Sequence, residues 1–158
     1  GIIDKSLLDP LAAIFMLNKG TPKDVLELRT LIEVNSARLA AERINDDQIV
    51  ELNEILDKLG NPTLEENKAK MDVALHYYIA EITGNILIIS VLNIVSSIME
   101  RFILTSRSKI IANPNNQAIL FKHHEDIVAA ICDKDPERAA KAMSNHLTMV
   151  DNIVFQKE

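Results

Sequence analysis

The sequence predicts an all-α fold, an antiparallel helical bundle of about six or seven helices. Apolar residues make up 47% of its 158 residues, whereas there are only four glycines and five prolines. No segment shows the alternation of apolar and polar residues that marks a half-buried strand. Leucine, alanine, glutamate and lysine, which favour helices, are abundant together with isoleucine. A chain of this length is expected to form one domain with its own core.

The charge and the cysteine content exclude several classes of function. A formal net charge of −6 makes the chain a poor partner for nucleic-acid phosphates. Cys132 is the only cysteine, which excludes an intrachain disulfide and indicates a reducing compartment. The longest apolar stretch, residues 86–99, is interrupted by polar residues and falls short of the roughly 20 residues of a membrane span. We therefore expect a cytoplasmic protein with no membrane segment.

Capping residues, prolines and glycines mark the ends of the predicted helices. Thr21-Pro22 and Asp135-Pro136 are typical helix starts, because a capping side chain precedes a proline that fits the first turn. Gly84 is a typical helix end. Residues 1–8 are expected to be a linker remnant, with one domain over 9–158. The predicted helices cover residues 9–17 (capped by Asp9), 22–43, 46–60 (capped by Asn45), 64–84 (capped by Thr63), 86–109 and 117–133, and a last one begins at residue 136.

The helix predicted over residues 86–109 is apolar on almost every side in its first half. Such a helix is buried on several sides, either in the centre of a bundle or at a subunit interface. Beyond Glu100 it becomes basic. The loop 113–116 is expected to end it, since asparagines and a proline cluster there.

Three of the four histidines fall on the core-facing stripes of three different predicted helices: His76, His124 and His146. Asp72 precedes His76 by four residues and therefore shares its helix face. Imidazoles and a carboxylate suit Zn, Ni, Mn or Fe, and helical bundles often project such ligands inward. A histidine on such a stripe is also often a satisfied core residue, and the pattern alone leaves both interpretations open. His123 lies one position off the stripe and is expected to face solvent.

Arg29 lies within the apolar stripe of the helix predicted over residues 22–43. An arginine in that position needs an anionic partner. Glu33, one turn further along, can provide it. A bound anion is the alternative partner.

Several short segments resemble, in order and spacing, the C-terminal domain of FadR, the effector-binding (FCD) module of one branch of the GntR transcription regulators. Together they extend over residues 8–150. The segments are Glu27-Leu28-Arg29, the alanine-rich residues 37–43, Asp72 with His76, Gly84-Asn85, His124 to Ile131, Asp135 to Ala140, and Met143 to Leu147.

The resemblance implies a metal centre. In the metal-binding members of that family one aspartate and three histidines hold a divalent ion in a pocket of the bundle. These ligands correspond here to Asp72, His76, His124 and His146, with zinc as the preferred ion and nickel, manganese or iron as alternatives. The acyl-CoA-binding members lack this set, so the resemblance argues against an acyl-CoA ligand. Arg29 matches the arginine that faces the pocket.

The sequence therefore favours a ligand-sensing domain over two rival functions. A small organic acid would chelate the metal and contact Arg29, with Asn93 and Arg101 as further contacts. The resemblance also implies a homodimer, and DNA binding through an N-terminal winged helix-turn-helix domain outside these residues. One rival is a metal-dependent hydrolase, but no general base stands out, because Glu81 lies on a different side of the helix from His76. The other is a dimerisation module with a purely structural metal.

Overall fold

Eight helices follow one another in the part of the chain that the computed structural model describes, residues 8–61 and 64–155. No strand occurs among those residues, and the predicted all-α class is confirmed. There are more helices than predicted because one predicted helix is divided. The helices are α1 (Leu8–Leu17), α2 (Pro22–Arg43), α3 (Asp46–Gly60), α4 (Glu65–Ile82), α5 (Ile86–Ile94), α6 (Ser96–Ile111), α7 (Pro114–Cys132) and α8 (Pro136–Val154).

The predicted caps of the long helices are present. At the start of α2 the side chain of Thr21 accepts the N–H of Asp24, and the Asp24 carboxylate accepts the N–H of Thr21 at 2.7 Å. This reciprocal capping box satisfies two N–H groups that have no partner within the helix. Asn45 caps α3 and Asp135 caps α8 in the same position. The local sequence therefore fixes where these helices begin.

The prediction of one continuous helix over residues 86–109 is wrong, because the chain turns sharply within this range. Val95 leaves the helical conformation with φ −94° and ψ 11°, and the axes of the two halves differ by 73°. Two β-branched residues and a serine pair meet at this point, and all four are weaker helix formers than alanine or leucine. The bend turns α6 onto the body of the bundle, where Met99 and Ile110 are buried.

Another predicted boundary, the start of α7, differs from the structure. The α7 helix begins at Pro114 rather than at residue 117, because Asn113 accepts the N–H of Asn115 and acts as its N-cap. The asparagines predicted as a loop are therefore the first turn of a helix. Thr63, the predicted cap of α4, lies outside the described residues, as do residues 1–7 and the side chain of Asp9. Leu64 occupies the N-cap position of α4 without a side-chain hydrogen bond.

The core is built around α2, which packs against α4, α7 and α8, while α7 and α8 also pack against each other. Small side chains on α2 (Ala37, Ala40 and Ala41) and on α8 (Ala139 and Ala140) are almost completely buried, which lets these helices approach closely. The α3 helix covers α4 and α7, and α6 packs on α4, α7 and α8. Side chains of α4 reach those of α7 and α8 in the interior, where the ring centroid of His76 lies 5.9 Å from that of His124 and 5.4 Å from that of His146. This point carries the candidate site.

The α5 helix leaves most of its apolar surface exposed. Leu92 is its only buried residue, while Ile86, Leu87, Val91 and Ile94 are exposed. No single helix in the described ranges is long and apolar enough to cross a membrane. The bent pair α5–α6 reaches that length and apolarity only when both helices are taken together.

Candidate metal and effector site

The bundle brings the predicted ligands from three helices to one point. Asp72 and His76 lie on adjacent turns of α4, His124 comes from α7 and His146 from α8. All four are at most 5% exposed. The Asp72 Oδ1 atom lies 3.3 Å from His76 Nε2 and 3.4 Å from His124 Nε2. One ring nitrogen from each of the three histidines falls within a group whose atoms are no more than 4.8 Å apart.

The nitrogens at this point lack hydrogen-bond partners. Among the described residues, His76 Nε2, His124 Nε2 and His146 Nδ1 are buried and unpaired; the two contacts with Asp72 are close but not aligned as hydrogen bonds. Each buried polar atom left unpaired costs about 1–3 kcal/mol. Atoms that bind one ion at about 2.1 Å lie roughly 3.0–3.5 Å apart, as the contacts of Asp72 do. The chemistry of this donor set, three imidazoles and a carboxylate, therefore suits a divalent metal ion.

Glu33 on α2 orients His76 from the other side of its ring. The Nδ1 atom of His76 donates a short hydrogen bond to Glu33 Oε1. The second carboxylate oxygen of Glu33 accepts a bond from Arg29 Nε at 2.6 Å. With Nδ1 engaged in this way, Nε2 of His76 faces Asp72. A carboxylate behind a histidine is the usual arrangement that positions a metal-ligating ring.

Burial and charge act against each other on the pKa values of this pair. Burial alone would raise the pKa of Glu33, but the Arg29 guanidinium and His76 lower it to about 2. Burial alone would lower the pKa of His76, yet the Glu33 carboxylate and the close contact with the Asp72 carboxylate raise it to about 9. In the metal-free protein the two side chains therefore form a buried ion pair.

The remaining acceptor groups keep the forms that bind a cation. Burial opposes the charge on Asp72, but His124 and His76 outweigh it and hold the pKa of Asp72 well below its usual value. Burial and the neighbouring positive charges hold the pKa of His146 well below its usual value. Asp72 is therefore a carboxylate and His146 a neutral imidazole at neutral pH.

Arg29 is buried beside this centre, with only 2% of its surface exposed. The prediction that Glu33 is its anionic partner is confirmed. Arg29 also borders a small cavity of about 10 Å³ that reaches Asp72, His76 and His146. A cavity of that size has room for about one water molecule. An effector larger than water needs additional space.

Arg107 also contacts the candidate site, although it is not among the residues predicted from the sequence. Its Nη1 atom donates to Asp72 Oδ2 at 2.9 Å, and its Nε atom donates to Glu65 Oε1 at 2.5 Å. Its spacing from Ile103 and Ile110 provided a signal, because both residues are buried on the same stripe of α6. The contact of Glu33 with His76 had no such signal, since it joins two helices that are distant in sequence.

Two predicted effector contacts and one histidine lie elsewhere. Arg101 is exposed and borders a separate cavity of about 500 Å³ between α1, α6 and the end of α8. Asn93 is half-buried on α5 and does not border the small cavity. His123 was expected to face solvent, but it is half-buried, and its ring centroid lies 6.1 Å from that of His146. It lies at the seam between α7 and α8, where a position just off the stripe is still partly covered.

Comparison with known proteins defines the class to which this fold and site belong. The FCD domain family matches residues 24–149, a range that includes Arg29 and all four candidate ligands. The chain belongs to the FCD family.

The relatives narrow this class to the regulators of the GntR family. The chain is 29% identical over 147 residues to the HTH-type transcriptional regulator LutR of Bacillus subtilis, covering 92% of this chain and 67% of LutR. It is 30% identical over 151 residues to the HTH-type transcriptional repressor NanR of Klebsiella aerogenes, covering 92% of this chain and 55% of NanR. The solved structure of Streptococcus agalactiae GntR superposes with a TM-score of 0.67 at 27% identity, over 82% of this chain and 57% of that one. The chain is an effector-binding domain of the GntR type, and it spans about half to two thirds of these relatives.

Proposed function

We propose that this domain senses a small organic acid by means of a divalent metal ion, and that the signal controls DNA binding by an attached domain. The observation that carries the proposal is the convergence of unpaired histidine nitrogens and an ionised carboxylate at one buried point. A core stabilised by apolar packing alone has no need of such a group, because each unpaired nitrogen costs free energy.

Asp72, His76, His124 and His146 would hold the metal. Three imidazoles and one carboxylate suit zinc, the preferred ion, as well as nickel, manganese and iron. If the ion takes five or six ligands in all, these four side chains leave one or two coordination positions for a carboxylate or a hydroxyl oxygen of the acid. Glu33 would keep the ring of His76 in its ligating orientation.

Arg29 would donate a charge-assisted hydrogen bond to an oxygen of the acid. It borders the small cavity, and Glu33 occupies only its Nε atom among the contacts described. Arg101 faces the larger cavity under α1 instead. We therefore assign the direct contact with the acid to Arg29.

The parent regulator would act as a cytoplasmic homodimer that binds DNA through its other domain. An acid alters DNA affinity only to the extent that it prefers one arrangement of the dimer over another. The exposed apolar side chains of α5 offer a surface for contact between subunits. A hydrolytic role finds less support, since the relatives are named as regulators. Among the described residues, Glu33 is the carboxylate besides Asp72 that contacts His76, and Arg29 and His76 already engage it.

A thermal-shift screen tests this proposal against the structural-metal alternative. The protein is melted with and without a chelator, in the presence of dicarboxylates, hydroxy acids and sugar acids. We expect the chelator to lower Tm and at least one acid to raise Tm only when metal is bound, because a ligand selective for the native state stabilises it. If the chelator lowers Tm but no acid raises it, the metal is structural. If the chelator has no effect on Tm, the metal proposal is wrong.

A further inference from the structure

Arg107 joins the histidine centre to an open groove. It borders the 10 Å³ cavity beside the ligands and also a groove of about 210 Å³ between α4, α6 and α7. Its guanidinium contacts the buried Asp72 on one side and Glu65 on the other. Arg107 itself is 7% exposed. His124 also lines this groove, so a molecule in the groove can contact both the guanidinium and one of the candidate metal ligands.

The two carboxylates bound to Arg107 differ in how firmly they are held. Asp72 is buried and keeps the guanidinium at the centre. Glu65 lies in the first turn of α4 with 46% of its side chain exposed, so water competes for its carboxylate. Its two oxygens lie 2.5 Å and 3.5 Å from the Nε and Nη2 atoms of Arg107. The Glu65 carboxylate thus occupies a position on the Arg107 guanidinium that the carboxylate of a ligand bound in the groove can take over.

The available space determines which acids can use this position. The small cavity holds about one water, and the groove, which shares Arg107 and Leu120 with it, is the neighbouring space that can take the rest of an acid. The groove passes Arg107 and also contains Lys68, which places further positive charge there. An acid with a second anionic group beyond its chelating end fits this arrangement, since that group replaces Glu65 on Arg107.

We infer that Arg107 determines specificity for hydroxy dicarboxylic acids, with Glu65 as an internal carboxylate that the acid displaces. This inference depends on the proposed function, because the chelating end of the acid requires the metal. It adds a second recognition point and names the class of acid. Displacement of Glu65 would also free the first turn of α4 from α6.

L-malate and L-lactate test the inference, because they share the same hydroxy acid and differ by one carboxylate. Calorimetric titration of the metal-loaded protein should give a Kd for L-malate about tenfold or more below that for L-lactate, given the strength of hydrogen bonds between charged groups. The Glu65→Gln variant should bind L-malate several-fold more tightly and L-lactate unchanged. The Arg107→Gln variant should lose the preference for L-malate.

Glu66→Gln is the matched control for Glu65→Gln. It changes the same charge in the same turn of α4, but Glu66 pairs with Lys70 and is not in contact with Arg107. It should leave both Kd values unchanged. Metal content and thermal melting of each variant show whether the fold and the centre are intact, and Glu65→Gln decides the question if Arg107→Gln does not fold.

The outcomes separate the two proposals. If the wild-type protein takes up no metal, the proposed function fails. If it takes up metal but binds L-malate no more tightly than L-lactate, or binds neither, the inference about Arg107 is wrong and the metal centre stands. An unchanged Kd for L-malate in Glu65→Gln also overturns it.

Discussion

Glu33 contacts two side chains that the site depends on, Arg29 and His76. All three are buried, so the charges of Arg29 and His76 are balanced mainly by this one carboxylate and by Asp72. Removing one partner of a buried ion pair is costly, because the other charge is left without compensation in a medium of low polarity.

The Glu33→Gln substitution should therefore lower the free energy of unfolding by about 3–5 kcal/mol. Chemical denaturation of the metal-free protein measures it. Glu27→Gln is the control, since Glu27 is exposed on the same helix and should change stability by less than about 0.5 kcal/mol. A loss under about 1 kcal/mol in Glu33→Gln would show that the buried pair is not needed for stability.

At the scale of the helices, the turn after α4 depends on one glycine. Gly84 has φ +63°, in the left-handed region, and an added Cβ there would meet no atom within 4 Å. Backbone strain is thus the only penalty for a side chain at this position. Asparagine adopts this conformation more readily than alanine does.

Gly84→Ala should lower the free energy of unfolding by about 1–2 kcal/mol, and Gly84→Asn should lower it less. Denaturation curves of both variants, measured together, check the order. Equal stability of Gly84→Ala and the wild-type protein would contradict the role of the left-handed turn.

The helices also show what the sequence could and could not predict. Caps at Thr21, Asn45 and Asp135 are local, so the starts of α2, α3 and α8 followed from a few neighbouring residues. The bend at Val95 did not, because the first half of this stretch is apolar on almost every side and only packing decides which side each half buries. The start of α7 did not follow from the sequence either, because an asparagine before a proline is typical both of a loop and of a helix cap.

At the scale of the whole molecule, the candidate site requires α4, α7 and α8 to meet, with α2 and α6 supporting it. The burial of the four candidate ligands at one point could be predicted, because helical spacing placed the three histidines and Asp72 on core faces and the family resemblance grouped them. The contact of Glu33 with His76 and the bridge of Arg107 between Glu65 and Asp72 could not be predicted. They join residues 43, 42 and 35 positions apart, and such pairings depend on the packing of helices.

Metal binding should link these helices, because it requires all three of them in their native arrangement. An ion that binds only the native state raises the free energy of unfolding. The gain grows with the logarithm of the ion concentration divided by Kd, and it is about 4 kcal/mol at 1,000 times Kd. The seam between α7 and α8 offers a matched pair of histidines. His146 is a candidate ligand, whereas His123 lies beside it outside the group of converging nitrogens.

Calorimetric titration of tag-free, metal-stripped protein with Zn²⁺ tests the metal centre most directly. The wild-type protein and His123→Ala should each bind one equivalent with the same Kd. His146→Ala should bind Zn²⁺ at least about 100-fold more weakly. A loss of that size exceeds the one expected for a residue that only supports a metal ligand. Failure of the wild-type protein to bind zinc, or an unchanged Kd in His146→Ala, would contradict the account.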